Sequence, residues 1–204
     1  MGELIALANA GNQLSTYEEL YREYLDDRTL VLNDEINENI IEDYIMYIIK
    51  WNKEDMDLPV DKRKPIKLYI SSPGGNVFDA NIFVDIIEVS KTPVWGVALD
   101  LVASASFHIY LACHERYAFK NTAFLQHDGE IAIENSRKKA KDTMIFFDQG
   151  EVRLKEHVLA HTNMTEEFYD SIYSDEYWFY AQRGKELGVV HKIIGDDCDF
   201  DEIL

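Results

Sequence analysis

Apolar positions change their period repeatedly along this chain, and each change marks an element. Ser15-Thr16-Tyr17-Glu18 has the form of a capping box, and Tyr17, Leu20, Tyr21, Tyr24 and Leu25 follow at helical spacing. Residues 28–32 are short and β-branched, which predicts a strand. Between 38 and 51, Ile40, Ile41, Tyr44, Ile45, Ile48 and Ile49 form one broad apolar helix face. Pro59, Pro65 and the run Asp61-Lys62-Arg63-Lys64 make 52–65 a surface loop. A strand at 66–70, a glycine turn at 71–75 and a helix at 78–90 come next, then a strand at 94–99 and a helix at 102–112. Short strands at 116–119 and 123–126 precede a long helix over 136–162. A short helix starts at Thr165, another covers 181–187, and 189–194 reads as a closing strand.

Strands alternating with helices of this length imply right-handed crossovers and a largely parallel sheet, hence one α/β domain over 1–204. The first 14 residues have no persistent period and are expected to be mobile. Residues 195–204 carry Asp196, Asp197, Asp199, Asp201 and Glu202 and are expected to be a solvated acidic tail.

Charge narrows the choice of partners. With 20 Lys+Arg against 38 Asp+Glu the net charge is −18, which repels phosphate backbones and anionic membranes, so neither nucleic acid nor membrane is expected. The longest apolar stretch, 101–113, falls short of the ~18 residues of a membrane span and contains Ser104, Ser106 and His108. No basic segment precedes an apolar one at the start, as a secretory signal would require. Cys113 lies in an apolar run and Cys198 in the acidic tail, which is no disulfide framework. A soluble protein of a reducing compartment, the cytoplasm, is expected.

Three positions carry candidate chemistry. Ser72-Pro73-Gly74-Gly75 ends a strand and opens a helix; paired glycines permit a sharp turn with N–H groups facing outward, as an oxyanion hole needs, although a ligand-free turn has the same form. It lacks the Lys-Ser or Lys-Thr of a phosphate loop and the third glycine of a dinucleotide fingerprint. Val102-Ala103-Ser104-Ala105-Ser106 begins a buried helix, where a serine is either a nucleophile facing a cleft or an ordinary cap. His127 ends an apolar strand and is placed to act as a general base or simply to close a turn. His157 and His161 share a helix face at i, i+4, but no third ligand is evident and no metal is expected. The tyrosines at 44–47 and 169–180 read as core and interface.

Together these pieces resemble the proteolytic subunit of the Clp protease, the ClpP family, over nearly the whole chain after about residue 17. Tyr69-Ile70-Ser71-Ser72-Pro73-Gly74-Gly75 is similar to the family's strand and Ser-Pro-Gly-Gly turn. Val102-Ala103-Ser104-Ala105-Ser106 loosely matches its Ala-Ala-Ser-Met-Gly nucleophile motif, and the 29-residue interval from Gly75 selects Ser104 over Ser106. Arg116 stands 11 residues before His127 as in the family, and Leu159-Ala160-His161-Thr162 is similar to its helix ending in His-Thr-Gly. Counting back from Gly188-Val189-Val190 sets Glu176 at the family's aspartate, 49 residues after His127, with Asp175 where the family has arginine. Aspartate is the commoner triad acid, so Asp175 stays open as the alternative. His127-Asp128-Gly129 replaces the family's His-Gln-Pro, and Glu130-Ile131-Ala132-Ile133-Glu134 replaces its glycine-rich strand.

The resemblance implies a ClpP/crotonase-like fold of repeated βαβ units with a protruding helical handle. It implies a serine endopeptidase with catalytic Ser104, His127 and Glu176, an oxyanion hole of Gly75 and Ala105 N–H groups, and no cofactor. It further implies heptameric rings, stacked as a tetradecamer, that degrade unfolded polypeptides delivered by an AAA+ unfoldase. The matching docking positions are Tyr69, Val97, Leu99 and Tyr117. Two other readings are a catalytically impaired ClpP-like structural subunit of a mixed ring and an enoyl-CoA hydratase relative. The latter needs no Ser104, His127, Glu176 set.

Overall fold

Parallel strand pairing organises the chain. The computed structural model describes residues 15–130 and 132–204; the segment 1–14, expected to be mobile, lies outside the described residues. Strands β1 (Thr29–Leu32), β2 (Ile66–Ser72), β3 (Val94–Ala103), β4 (Glu115–Phe119) and β7 (Lys192–Ile194) lie side by side in the order β1-β2-β3-β4-β7, every neighbouring pair parallel. Helices α2 (Met46–Glu54), α3 (Val77–Val89) and α4 (Ala105–Ala112) fill the crossovers between β1, β2, β3 and β4. Successive crossovers that move one way and share one hand put these helices on one face of the sheet. The preceding helix, α1 (Thr16–Asp26), opens with the expected capping box: Ser15 Oγ accepts from Glu18 N–H, and Glu18 Oε2 accepts from Ser15 N–H. The apolar segment expected as one helix over 38–51 enters as a π turn, Ile41–Ile45, before α2.

The two faces of the sheet differ. Leu32, Ile70, Ala98, Ala118 and Ile193 stand in lateral register, all buried in the main core with α3 and α4. One residue back along each strand, Val31, Tyr69, Val97, Tyr117 and Lys192 form the opposite row. The candidate docking residues Tyr69, Val97 and Tyr117 are therefore immediate neighbours, with Leu99 two positions further along β3 and packed in the same cluster.

The acidic tail covers that row, contrary to expectation. Phe200–Ile203 form a 3₁₀ turn whose Ile203 is fully buried beside Val97 and Tyr117. Tyr69 donates its hydroxyl to the Ile203 carbonyl at 2.8 Å and Tyr117 donates to Glu202 at 3.1 Å, while Lys192 pairs with Glu202. Phe200 and Ile203 sit at i, i+3, so they fall on one side of a tight turn, Ile203 buried and Phe200 half exposed against Phe119, while Asp201 is exposed and Glu202 turns back to Tyr117 and Lys192. Apolar spacing within the tail outweighs its charge.

Beyond β2 the register shifts: Ile70 pairs with Ala98, yet Ser72 pairs with Val102. The extra residues swing β3 away from β4, and Leu101–Ala103 then pair with Ala123–Leu125 of β5 (Ala123–Gln126). This pairing holds 100–103 extended, so the helix expected from 102 starts at Ala105. β5 also pairs, antiparallel, with β6 (Tyr177–Tyr180), an aromatic strand. Residues 130 and 132–134 form no strand. Helix α5 (Arg137–His161) spans 25 residues, about 37 Å, and buries only Val158; it is the handle, followed by α6 (Glu166–Ile172) and α7 (Ala181–Glu186). No described helix is long and apolar enough to cross a membrane. Both cysteines are free.

Candidate active site

The turn after β2 is built on glycine. Gly74 has φ +101° and Gly75 φ +143°, and a Cβ on Gly75 would come within 2.4 Å of the Ile36 carbonyl oxygen. Gly74 is equally confined: its Cβ would stand 2.7 Å from both the Ala103 oxygen and the Ser104 Cβ, and 3.0 Å from the Ala105 nitrogen. The glycine turn thus lies against the start of α4. Ile36 anchors it from outside, donating its N–H to the Gly74 carbonyl and accepting from Asn76 N–H, which leaves the N–H of Gly75 outside the bridge.

Ser104 occupies the junction of β3 and α4 with φ +54° and ψ −126°, one of two non-glycine residues of positive φ among the described residues. It is half-buried, donates its backbone N–H to the Leu125 carbonyl, and its side chain does not cap the helix. A strained backbone of this kind is held in place only where the surrounding structure fixes it, and it leaves the Ser104 hydroxyl out of the helix cap. The N–H of Ala105, in the first turn of α4, has no acceptor within the helix and carries the positive end of the helix dipole.

Ser106 has another task. It is fully buried, and its Oγ accepts from Ala103 N–H at 2.9 Å and lies 2.7 Å from the Ala103 carbonyl and 2.9 Å from the Ser72 carbonyl, to which its single proton can be given. Ser72 in turn accepts from Gly74 N–H and donates to the Asp34 carbonyl. This network ties the glycine turn to the Ser104 turn, and it accounts for serine where the family motif has glycine. The two serines thus differ in environment: Ser106 is bound within the network, whereas the Ser104 hydroxyl does not cap the helix.

His127 follows β5, and the β3–β5 pairing brings it to the edge where β3 delivers Ser104. Its Nε2 is buried and makes no hydrogen bond, so the serine–histidine bond is open in this conformation. The antiparallel register of β5 and β6 ends at Gln126 opposite Tyr177; beyond it Asp128 N–H donates to the Tyr173 carbonyl, so Glu176 and Asp175 both lie in the bend that precedes β6. The Glu176 carboxylate is not bonded to the imidazole: it is exposed and accepts from the Trp178 indole N–H at 3.1 Å. Asp175 is exposed too, and only its backbone N–H is engaged, by the Ile172 carbonyl. The fold thus packs the glycine turn against Ser104 and sets His127 and residues 175–176 at neighbouring ends of β5 and β6, without closing a triad.

Sequence reasoning missed His108. It sits one turn beyond Ser104 on α4, buried, with Nδ1 unpartnered, and burial followed by the neighbouring His157 and His127 pushes its pKa down to about 3. A neutral imidazole is thereby fixed beside His127. The i, i+4 spacing from Ser104 is the one signal that could have indicated it. Cys113 is no rival nucleophile, since burial raises its thiol to about 12. Arg116 faces away from this site, donating to the carbonyls of Leu111, His161 and Gly188.

Comparison with known proteins agrees with this geometry. The chain is 24% identical over 184 residues to the ATP-dependent Clp protease proteolytic subunit 2 of Treponema pallidum, covering 88% of each. It is 27% identical over 191 residues to the ATP-dependent Clp protease proteolytic subunit 3 of Parasynechococcus marenigrum, covering 90% of each. Among solved structures, a ClpP1 mutant from Listeria monocytogenes superposes with a TM-score of 0.72 at 24% identity, over 91% of this chain and 99% of that one, and so shares the fold. The family model described as Clp protease matches residues 11–197, which takes in the glycine turn, both serines, His127 and Glu176. With a helical handle, a ClpP fold and a match across nine-tenths of its length, this chain belongs to the Clp protease family.

Proposed function

We propose that the chain is a serine endopeptidase subunit of a self-compartmentalised, ATPase-coupled protease that cuts unfolded polypeptides into short peptides. The observation that carries this reading is Ser104: a left-handed residue at the head of a buried helix, its hydroxyl freed from capping and a two-glycine turn packed against it. Ser104 attacks the peptide carbonyl, His127 takes its proton and passes it to the leaving amine, and the N–H groups of Gly75 and Ala105 hold the oxyanion. Closure of the site requires His127 Nε2 to reach Ser104 and Glu176 to exchange the Trp178 indole for His127 Nδ1. Hydrogen bonds of this kind commonly tighten only with substrate present.

Clp protease family membership implies rings that work with Clp ATPases. Exposed Met144, Ile145 and Phe146 on α5, with Phe146 stacked on Phe78 at 6.1 Å, support the handle as the contact between heptamers. Seven chains of 23.7 kDa weigh about 166 kDa, and sedimentation should find that ring or its double. Docking of an unfoldase at Tyr69, Val97, Leu99 and Tyr117 requires the 3₁₀ turn Phe200–Ile203 to move aside.

A serine-directed fluorophosphonate tests the reading directly. It should label the wild type at Ser104 and leave Ser104→Ala unlabelled, and the wild type should cleave short fluorogenic peptides without ATP. The other reading, a structural subunit without catalysis, draws on the Glu176–Trp178 bond. Absence of both labelling and hydrolysis in an assembled ring would establish it.

A further inference from the structure

At the foot of α5, His157 and His161 share one helix face, and α3 brings Glu88 to meet them. Glu88 Oε1 lies 3.2 Å from His157 Nδ1 and 3.6 Å from His161 Nε2, and the three ligand atoms all fall within 4.8 Å of one another. Two donors on a tetrahedral ion with bonds of ~2.0–2.1 Å stand about 3.3 Å apart. The spacings are those of a coordination shell.

The other ring nitrogens fix the tautomers. His157 Nε2 lies 3.0 Å from the His108 carbonyl oxygen, and His161 Nδ1 lies 2.9 Å from the His157 carbonyl oxygen. A carbonyl oxygen only accepts, so these two nitrogens carry the protons. In each neutral ring the remaining nitrogen then turns a lone pair toward the same carboxylate oxygen. Lone pairs converging without a hydrogen between them repel unless a cation stands there. Backbone carbonyls gripping the far nitrogen of each imidazole are the outer support that orients metal-bound histidines. Buried Arg116 adds to it by donating to the His161 carbonyl at 2.8 Å. Glu88 and His161 also line an open cavity of about 880 Å³, with room for water on the solvent side of the cluster.

We propose that Glu88, His157 and His161 bind a divalent transition-metal ion, zinc by preference, with water from the cavity completing four-coordination. Two imidazoles and one carboxylate suit an ion of borderline softness better than magnesium or calcium, which take oxygen. The ligands come from α3 and α5, so the ion clamps the base of the handle to the helical layer under the sheet. His157 reaches from this clamp to the carbonyl of His108, the residue beside His127. The site is independent of the peptidase reading.

Calorimetric titration of the full-length, chelator-stripped protein with zinc tests the proposal, with cobalt(II) as a spectroscopic probe of the same site. One ion per chain, visible d–d bands of a four-coordinate cobalt, and a rise in Tm on adding zinc are expected. Glu88→Gln, a change at a partly exposed side chain, should weaken binding at least about tenfold and cancel the Tm rise, as should His161→Asn. His191→Gln, which removes a histidine across the same cavity, should leave stoichiometry and affinity unchanged. Circular dichroism of the metal-free variants checks that both still fold. Absence of saturable binding at one ion per chain, or equal binding by wild type, Glu88→Gln and His161→Asn, would overturn the assignment.

Discussion

Replacing Ser104 by glycine should abolish activity and at the same time stabilise the protein, both through a single dihedral angle. Ser104 holds φ +54° and ψ −126°, which for a residue with a Cβ costs about 1–3 kcal/mol and for glycine almost nothing. Little is lost with the side chain, because its hydroxyl caps nothing. The greater freedom of glycine in the unfolded chain takes back about 0.5–1 kcal/mol. The balance is a gain of about 1 kcal/mol, or a Tm higher by about 2–4 °C for a chain of this length. Ser104→Ala keeps the strain, so its stability should stay within about 0.5 kcal/mol of wild type while its activity is equally lost. Ser106→Ala should do the reverse. It strips the buried Ala103 N–H of its acceptor, at a cost of about 1–3 kcal/mol, yet spares the nucleophile. Thermal unfolding at one fixed protomer concentration, with oligomer size checked, reads the stabilities, since assembly itself adds to Tm. Fluorophosphonate labelling reads the hydroxyl. A Ser104→Gly protein that melts below Ser104→Ala would refute the strain argument. A Ser106→Ala protein that folds but resists labelling would reassign the nucleophile.

Glu176→Gln should lower kcat by on the order of 10⁴, with Asp175→Asn near wild type, because the intervals to Gly188 and His127 set Glu176 at the family's aspartate; the opposite result on one peptide would shift the acid by one residue. Ending the chain after Cys198 should raise binding of an apolar dye such as ANS at Tyr69, Val97, Leu99 and Tyr117 while peptide hydrolysis continues, and unchanged fluorescence would mean that Phe200–Ile203 do not shield that face. Acid should weaken the fold through His108. Its folded pKa of about 3 lies below the unfolded value near 6.5, so the unfolded chain binds the extra proton, and stability falls by about 1.4 kcal/mol per pH unit as pH drops below about 6.5. Urea midpoints between pH 7 and 5 should show this slope, and His108→Asn should flatten it.

What the sequence determined by itself was written in short-range chemistry. The Ser15 capping box, the Gly74-Gly75 turn, the α3 and α5 helices and the β1, β2, β4 and β5 strands each declare themselves within a few residues, because caps, positive φ and apolar periodicity are local properties. Intervals to Gly75 and His127 then pointed to Ser104 and Glu176 as candidates, with Asp175 left open. Tertiary structure decided the rest, wherever a residue's role depends on a partner distant in sequence. β3 runs on to Ala103 only because β5 is there to pair with it, and Ser106 becomes a tie only where Ser72 and Ala103 offer their carbonyls. The tail looked solvated by its charge, but an uncovered row of Tyr69, Val97 and Tyr117 gave Ile203 somewhere to be buried. His157 and His161 lacked a third ligand in the sequence because Glu88 lies 69 residues before His157, on another helix. Propensity and period are carried by each segment alone, whereas hydrogen-bond partners, burial and ligand sets exist only after distant segments have been packed together.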